Sequence, residues 1–279
     1  MKIAVCAASG QLGSAIIRAL KKEVDLSQIV ALARTPEKAA HHGVEVRKGD
    51  YTIKADFDEA LKDIDAVLLL SANGEPLGRI PQHRNVIHAA KEAGVKKIVY
   101  TSVGGDFGPV VESNRQTEED IKTCGLQYAI GRNGIYIEPD VDYIETYKRE
   151  GKITNSAGYG KCAYTSRDEL GAAYAKMLLE DKHNGKTYSL TGEAITQYQL
   201  ADYLNKAFGT NLVYEPMRVE EYEKERKAEL GEFLGGIIAA IYGSINRGDF
   251  DKPSDYEQAA GREHVGWEEY FRNLKSPLI

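Results

Sequence analysis

The sequence predicts an α/β protein: a doubly wound parallel sheet followed by a smaller, mainly helical lobe. Three observations predict it. Short, nearly continuous apolar runs alternate with longer amphipathic stretches through the first half. Strands buried on both faces have that character, and parallel sheets bury both faces. The first run, "IAVCA", stops at the small-residue turn "ASGQLG", where a helical pattern begins at once. After about residue 131 the alternation gives way to helical patterns.

Strands are expected at residues 3–7, 29–33, 44–46, 66–70, 98–100 and 126–130. Between them, residues 11–22 place Leu12, Ala15, Ile16, Ala19 and Leu20 on one helical face. A short helix is expected at 57–62. Another, at 81–93, carries Val86, Ile87, Ala89 and Ala90 and stops at Gly94, a glycine C-cap. Strand, helix and strand repeated in this way imply right-handed crossovers. In the second half, helices are expected at 168–180, 197–208, 219–230 and about 232–245. The run "KTYSL", over about 186–191, is expected to return a strand to the sheet. No linker rich in Pro, Gly or Ser divides the chain. The expected organisation is therefore residues 1–131 and 132–279 in one unit, with a cleft between them.

Composition narrows the partners. The 279 residues are 42% hydrophobic, enough for a large core. A formal net charge of −6, without a basic run of five, argues against nucleic acid and anionic membrane as partners. No stretch approaches the ~20 apolar residues of a membrane span. Polar "SGQ" follows the N-terminal apolar residues too soon for a secretory signal, so a cytoplasmic protein is expected. Cys6, Cys124 and Cys162 are far apart, which suggests buried thiols in a reducing compartment and no zinc cluster. His83 and His88 are spaced wrongly for one helical face, and no metal site is expected. A small-molecule partner is the remaining expectation. The run "FLGGIIAAIYGSI" fits either core or an interface, which leaves a homodimer open.

The turn after the first strand carries the chemistry. A strand that enters a helix through "AASGQLG" has the form of a dinucleotide fingerprint. The helix N-terminus presents unpaired N–H groups and a partial positive charge, where a diphosphate can sit. Gly10 would allow close approach of the phosphates, and Gly13 would let the helix pack on the strand. Ala7 replaces the first glycine of G-x-x-G-x-x-G; close approach survives if its φ is negative. Arg34 stands at the end of the second strand, where NAD sites usually place an acid about 20 residues on. An arginine there can pair with a 2′-phosphate, so NADPH is expected over NADH. Later strand ends add Asp50 and Tyr51 near the adenine. Ser71, Ala72 and Asn73 fall under the ribose and phosphates, and Ser102 near the nicotinamide. Asn133, Tyr136, Tyr159 and Phe107 are expected walls for an acceptor.

One feature of ordinary short-chain dehydrogenases is missing. They protonate a carbonyl oxygen with a Tyr-x-x-x-Lys pair. None of the seventeen tyrosines has a lysine four residues later. The catalytic residues are therefore left unassigned.

Three blocks, "ASGQLGSAII", "SQIVALARTPEKA…GVEVRKGDY" and "IPQHRNVIHAAKEAGVKKIVYTS", resemble the NmrA-like branch of the atypical short-chain dehydrogenase/reductases. The resemblance is closest to bacterial NAD(P)H:quinone oxidoreductases and triphenylmethane reductases. "GRNGIY", "TSRDELGAAYAKML" and "KTYSLTGEAITQYQLADYL" extend it into the second half. It implies an NADPH-binding Rossmann domain and a variable substrate lobe. It also implies hydride transfer to quinones or cationic dyes without a dedicated proton donor. Carried over by motif, the cofactor contacts fall on Ser9, Gly10, Gln11, Leu12, Gly13 and Arg34, with Ser71, Ala72 and Gln82. Cys6 and Ala7 depart from the family's Thr-Gly, and Asn114 stands where several relatives have lysine or histidine. The family also contains regulators, so a dinucleotide-binding redox sensor without turnover is the alternative function.

Overall fold

The computed structural model describes residues 1–105 and 108–274. In chain order, the first half builds β1 (Ile3–Val5), α1 (Gln11–Leu20), β2 (Ile29–Ala33), β3 (Glu45–Lys48), α2 (Lys54–Ala60), β4 (Ala66–Leu70), α3 (Pro76–Glu92), β5 (Lys97–Val103), α4 (Pro109–Thr123) and β6 (Gln127–Asn133). The second half adds β7 (Ile135–Tyr136), α5 (Glu138–Asp142), α6 (Ile144–Glu150), β8 (Lys152–Asn155), β9 (Lys161–Thr165), α7 (Arg167–Leu179), β10 (Lys186–Leu190), β11 (Ala194–Thr196), α8 (Gln197–Phe208), β12 (Val213–Pro216), α9 (Val219–Leu230), α10 (Glu232–Asn246), α11 (Tyr256–Ala260) and α12 (Trp267–Arg272).

Seven parallel strands form the central sheet in the order β10-β6-β5-β4-β1-β2-β3. This is the doubly wound α/β fold that the alternating runs predict. Ile3 pairs with both Ile29 and Ala66, Ala66 with Lys97, and Lys97 with Gln127. That register brings the carboxyl ends of β1, β4, β5 and β6 to one edge, where such sheets bind ligands.

Apolar side chains cover both faces. Ile16, Ile17, Leu20, Leu170, Met177 and Leu178 from α1 and α7 bury one. Phe57, Val86, Ile87 and Ile121 from α2, α3 and α4 bury the other. Helices α1 and α7 meet backbone to backbone: a Cβ on Gly171 would stand 2.7 Å from the Ala15 carbonyl oxygen. Strand β10 joins the sheet beside β6, pairing Lys186 with Ala129. The second half thus contributes both a strand and a covering helix to the first half's sheet.

Several boundaries differ from the expectation. Helix α3 starts at Pro76, itself an N-terminal proline, and continues through Pro81, which the sequence reading takes as the start. Helix α4 follows the loop after β5 with no strong apolar face to mark it. The lobe carries two small sheets, β11-β9-β7 and β12-β8, besides its helices. Their strands are only two to five residues long, too short for a periodic signal. Among the described residues, no helix is long and apolar enough to cross a membrane.

Candidate active site

Residues 6–10 carry the chain from β1 into α1 and are pinned by their amides. Cys6 N–H donates to the Leu68 carbonyl at 3.0 Å, and Ala8 N–H to that of Leu32 at 3.0 Å. Gly10 N–H closes the turn on the Ala7 carbonyl at 3.0 Å. Gly10 is the N-cap, extended at φ −84°, and no side chain caps the helix. The first-turn amides of Gln11, Leu12 and Gly13 and the positive end of the helix dipole therefore face the cleft. A Cβ on Gly13 would lie 2.6 Å from the Ala7 carbonyl oxygen, so only glycine fits. At Gly10 the same distance is 3.3 Å, a tight contact. An uncapped helix start behind a glycine cradle fits a diphosphate.

Ala7 corrects the expectation of a negative φ. It sits at φ +49°, in the left-handed region. The glycine conformation of the motif is kept although the glycine is not, at a cost of roughly 1 kcal/mol for an L-residue. Ala7→Gly is expected to raise the melting temperature by about 2 °C. Differential scanning calorimetry checks this, and a lower melting temperature contradicts it.

A cavity of about 770 Å³ runs from this turn, past the strand ends, into the lobe. It brings together Ala7, Gly10, Gln11, Leu12, Gly13, Ser71, Ala72, Asn73, Ser102, Asn133 and Tyr136 of the residues singled out in the sequence. Ser9 and Arg34 are exposed and lie outside its lining, and half-buried Gln82 lies on α3 outside it. Asp50 accepts from the Thr52 amide at 2.9 Å and the Thr52 hydroxyl at 2.7 Å, which hold its carboxyl below the usual range. The nearby Arg34 charge adds to that pull. Tyr51 is turned into the core instead. It stacks on Phe57 and donates to the Leu70 carbonyl at 2.8 Å. Tyr159 is not brought to the cleft: it is 81% exposed and stacks on Tyr198 in the lobe. Phe107 lies outside the described residues.

The polar groups under the strand ends are already committed. Asn114 Oδ1 accepts from Ser71 Oγ at 3.1 Å and from the Tyr100 hydroxyl, while its Nδ2 donates to the Val110 carbonyl. It ties β4, β5 and α4 together and carries no acid–base chemistry of its own. His83 Nε2 accepts the Ala72 N–H at 2.8 Å, so the ring proton is on Nδ1, facing Thr117 Oγ1 at 2.8 Å. Burial lowers His83 to about 4 and keeps it neutral. Ser102 donates to Glu118 at 2.6 Å, so its proton is spent. Arg115 and Arg132 bind the same carboxylate at 2.6 Å each. Burial pushes Glu118 up, but the hydrogen bonds from Arg132 and Ser102 outweigh it and hold the carboxyl below its usual value. Asn133 accepts from the Tyr174 hydroxyl at 2.6 Å and donates to the Tyr136 hydroxyl at 3.2 Å. The Arg167 guanidinium lies 5.1 Å over the Tyr136 ring, in cation–π contact. Burial raises the Cys6 thiol to about 12, so it is no nucleophile.

The far wall escaped the sequence reading. Asp140, Tyr143, Tyr147, Tyr164, Tyr222, Arg226 and Tyr242 line it, with Ile238, Ile241 and Ile245. The run "FLGGIIAAIYGSI" was the available signal: one face of α10 lines the cleft rather than being wholly core or interface. The tyrosines and Asp140 come from five separate segments, which no local spacing could join.

The glycine cradle and its strand ends have the form of a nicotinamide dinucleotide site, and residues 7–181 match the NAD(P)H-binding family. This chain belongs to that family. Quinone oxidoreductase 2 of Escherichia coli is 39% identical over 93% of each chain. The NmrA-like family domain-containing oxidoreductase flvB of Aspergillus flavus is 29% identical over 80% of this chain and 76% of its own. The crystal structure of the Escherichia coli NADPH-dependent quinone oxidoreductase with NADPH superposes with a TM-score of 0.89 at 34% identity, covering 96% and 98% of the two chains. The Citrobacter sp. triphenylmethane reductase with NADP(H) gives a TM-score of 0.88 at 34% identity, with the same coverage. The family member described here is an NAD(P)H-dependent oxidoreductase with NmrA-like homologues.

Proposed function

We propose that this reductase passes hydride from NADPH to a quinone-like or dye-like acceptor, without a Tyr–Lys acid pair. The observation that carries the reading is the single cavity joining the glycine cradle to an apolar, tyrosine-rich lobe wall. The bound dinucleotide supplies the hydride. The chain's own part is to bind, orient and exclude water. The amides of Gln11, Leu12 and Gly13 hold the diphosphate. Ser71, Ala72 and Asn73 border the path to the nicotinamide end, beside Ser102 and Asn133. Tyr136, fixed by Asn133 and Arg167, and the isoleucines of α10 press a flat acceptor against the ring; such positioning is the main source of rate for an acceptor that delocalises charge. Steady-state NADPH oxidation with benzoquinone, menadione and a dye panel tests the reading. Dinucleotide binding with no acceptor-dependent oxidation would instead favour a sensor.

Arg34 carries the coenzyme preference in this reading. It is exposed at the end of β2, within electrostatic reach of Asp50 and without a salt bridge among the described residues. A charge-assisted bond to a 2′-phosphate is worth about 1.5–3 kcal/mol. Arg34→Ala is expected to weaken NADPH binding by about 10-fold or more and leave NADH within about twofold. Fluorescence titration of both coenzymes checks this; equal losses for the two would remove Arg34 from the 2′-phosphate.

A further inference from the structure

The lobe wall of the cleft holds a carboxyl group whose surroundings are unlike those of an ordinary buried ion pair. Asp140, on α5, is 5% exposed and lines the same cavity as the strand ends. Among the described residues no lysine, arginine or histidine forms a salt bridge with it. Its partners are phenols. The Tyr147 hydroxyl, from α6, donates to Oδ1 at 2.9 Å. The phenols of Tyr164, from β9, and Tyr242, from α10, face the same carboxyl and favour its charged form. Tyr164 accepts from Gln197 Nε2 at 2.8 Å, which leaves its own proton free to point at Asp140. Burial pushes the Asp140 carboxyl up to about 6, against the opposing pull of the three phenols.

A carboxyl with no cation to fix its charge can hold a proton in a mostly apolar cavity. It can also lose that proton, because phenol donors are in place to receive the charge. We propose that Asp140 is the proton donor to the reduced acceptor. The inference rests on the acceptor reading above and departs from the resemblance's implication that no dedicated proton donor takes part. When a quinone takes up hydride with its electron pair, it becomes a monoanion. The O–H bond of the Asp140 carboxyl then breaks, and its proton forms the O–H bond that completes the neutral hydroquinone. The electron pair stays on Asp140 as carboxylate, which accepts from Tyr147 and is favoured by the neighbouring phenols of Tyr164 and Tyr242. A proton from solvent, entering by the cleft mouth, restores the acid. A positively charged triarylmethane acceptor needs no such step, because hydride on its central carbon gives a neutral product directly.

That difference supplies the test. Full-length wild type, Asp140→Asn and Asp140→Glu are assayed with NADPH and either menadione or a triarylmethane dye cation. Melting temperature and NADPH affinity serve as controls for folding and cofactor binding. Asp140→Asn is expected to lower kcat with menadione by about 100-fold, the scale of general acid catalysis. The fall with the dye is expected to be at least tenfold smaller, and Asp140→Glu to recover part of the menadione rate. Independently of turnover, infrared difference spectra of the wild type should show a protonated carboxyl that titrates near neutrality and is absent from Asp140→Asn. Equal losses on both acceptors, or a loss confined to dye binding, would overturn the donor role and make Asp140 a packing group or a cation anchor. An unchanged menadione rate would overturn it as well. A wild type that reduces neither acceptor overturns the acceptor reading and the donor role together.

Discussion

Gly13→Ala is expected to lower NADPH affinity by at least about tenfold and to destabilise the fold by about 2 kcal/mol. The added methyl would lie 2.6 Å from the Ala7 carbonyl oxygen and 3.0 Å from the Ala8 Cα. Both are backbone atoms in a turn fixed by the Cys6 and Ala8 amides, so neither can move without loosening β1 from β2 and β4. The strain is relieved only by lifting α1 off the strand. That displaces the Gln11 and Leu12 amides, which the diphosphate needs. Isothermal titration with NADPH, paired with a thermal melt, reads both effects. Unchanged affinity in a folded variant would mean that the diphosphate does not rest on this turn.

The second large effect is expected at Glu118. Its side chain is 1% exposed and carries two arginines and a serine. Glu118→Ala leaves Arg115 and Arg132 facing each other without their anion. Breaking a buried pair costs about 3–5 kcal/mol; with both guanidiniums about a third exposed, a loss near 3 kcal/mol is expected. The pH dependence has a definite sign. The folded-state carboxyl sits below its ordinary value. Its stabilisation is therefore complete above the unfolded value of about 4.3 and is lost as pH falls through the lower, folded value. Urea midpoints measured from pH 7 down to pH 3 should show wild type and variant converging in acid. Parallel curves would show that Glu118 is not ionised in the native state.

The alternation of strands with helices and the first crossover were legible because long-lived physical patterns encode them. Buried parallel strands such as β2 and β4 must be apolar throughout, and the turn before α1 must be small. Arg34, Ser71 and Asn133 could be singled out because strand ends fall at predictable places. Ala7 was read in part: the sequence marks the close approach but cannot show that the turn imposes a positive φ even on alanine. Tyr51 and Tyr159 were misplaced because a phenol suits core, stack or pocket equally well, and tertiary packing chooses. Ser102 was visible as a strand-end residue, yet its capture by Glu118 depends on α4 packing across β5. The acceptor wall was the least legible. Asp140, Tyr147, Tyr164 and Tyr242 meet only because α5, α6, β9 and α10 fold together.

Strand β10 and helix α7 carry one last consequence. One of the sheet's covering helices, and one of its edge strands, are supplied by residues that lie in the chain between the two groups of segments that build the acceptor wall. Neither half can melt while the other keeps its native contacts, so the molecule should lose its structure in a single cooperative step. Coenzyme seated at the first crossover then protects the distant lobe from heat and protease as strongly as the turn it touches, through mass action on the whole folded state.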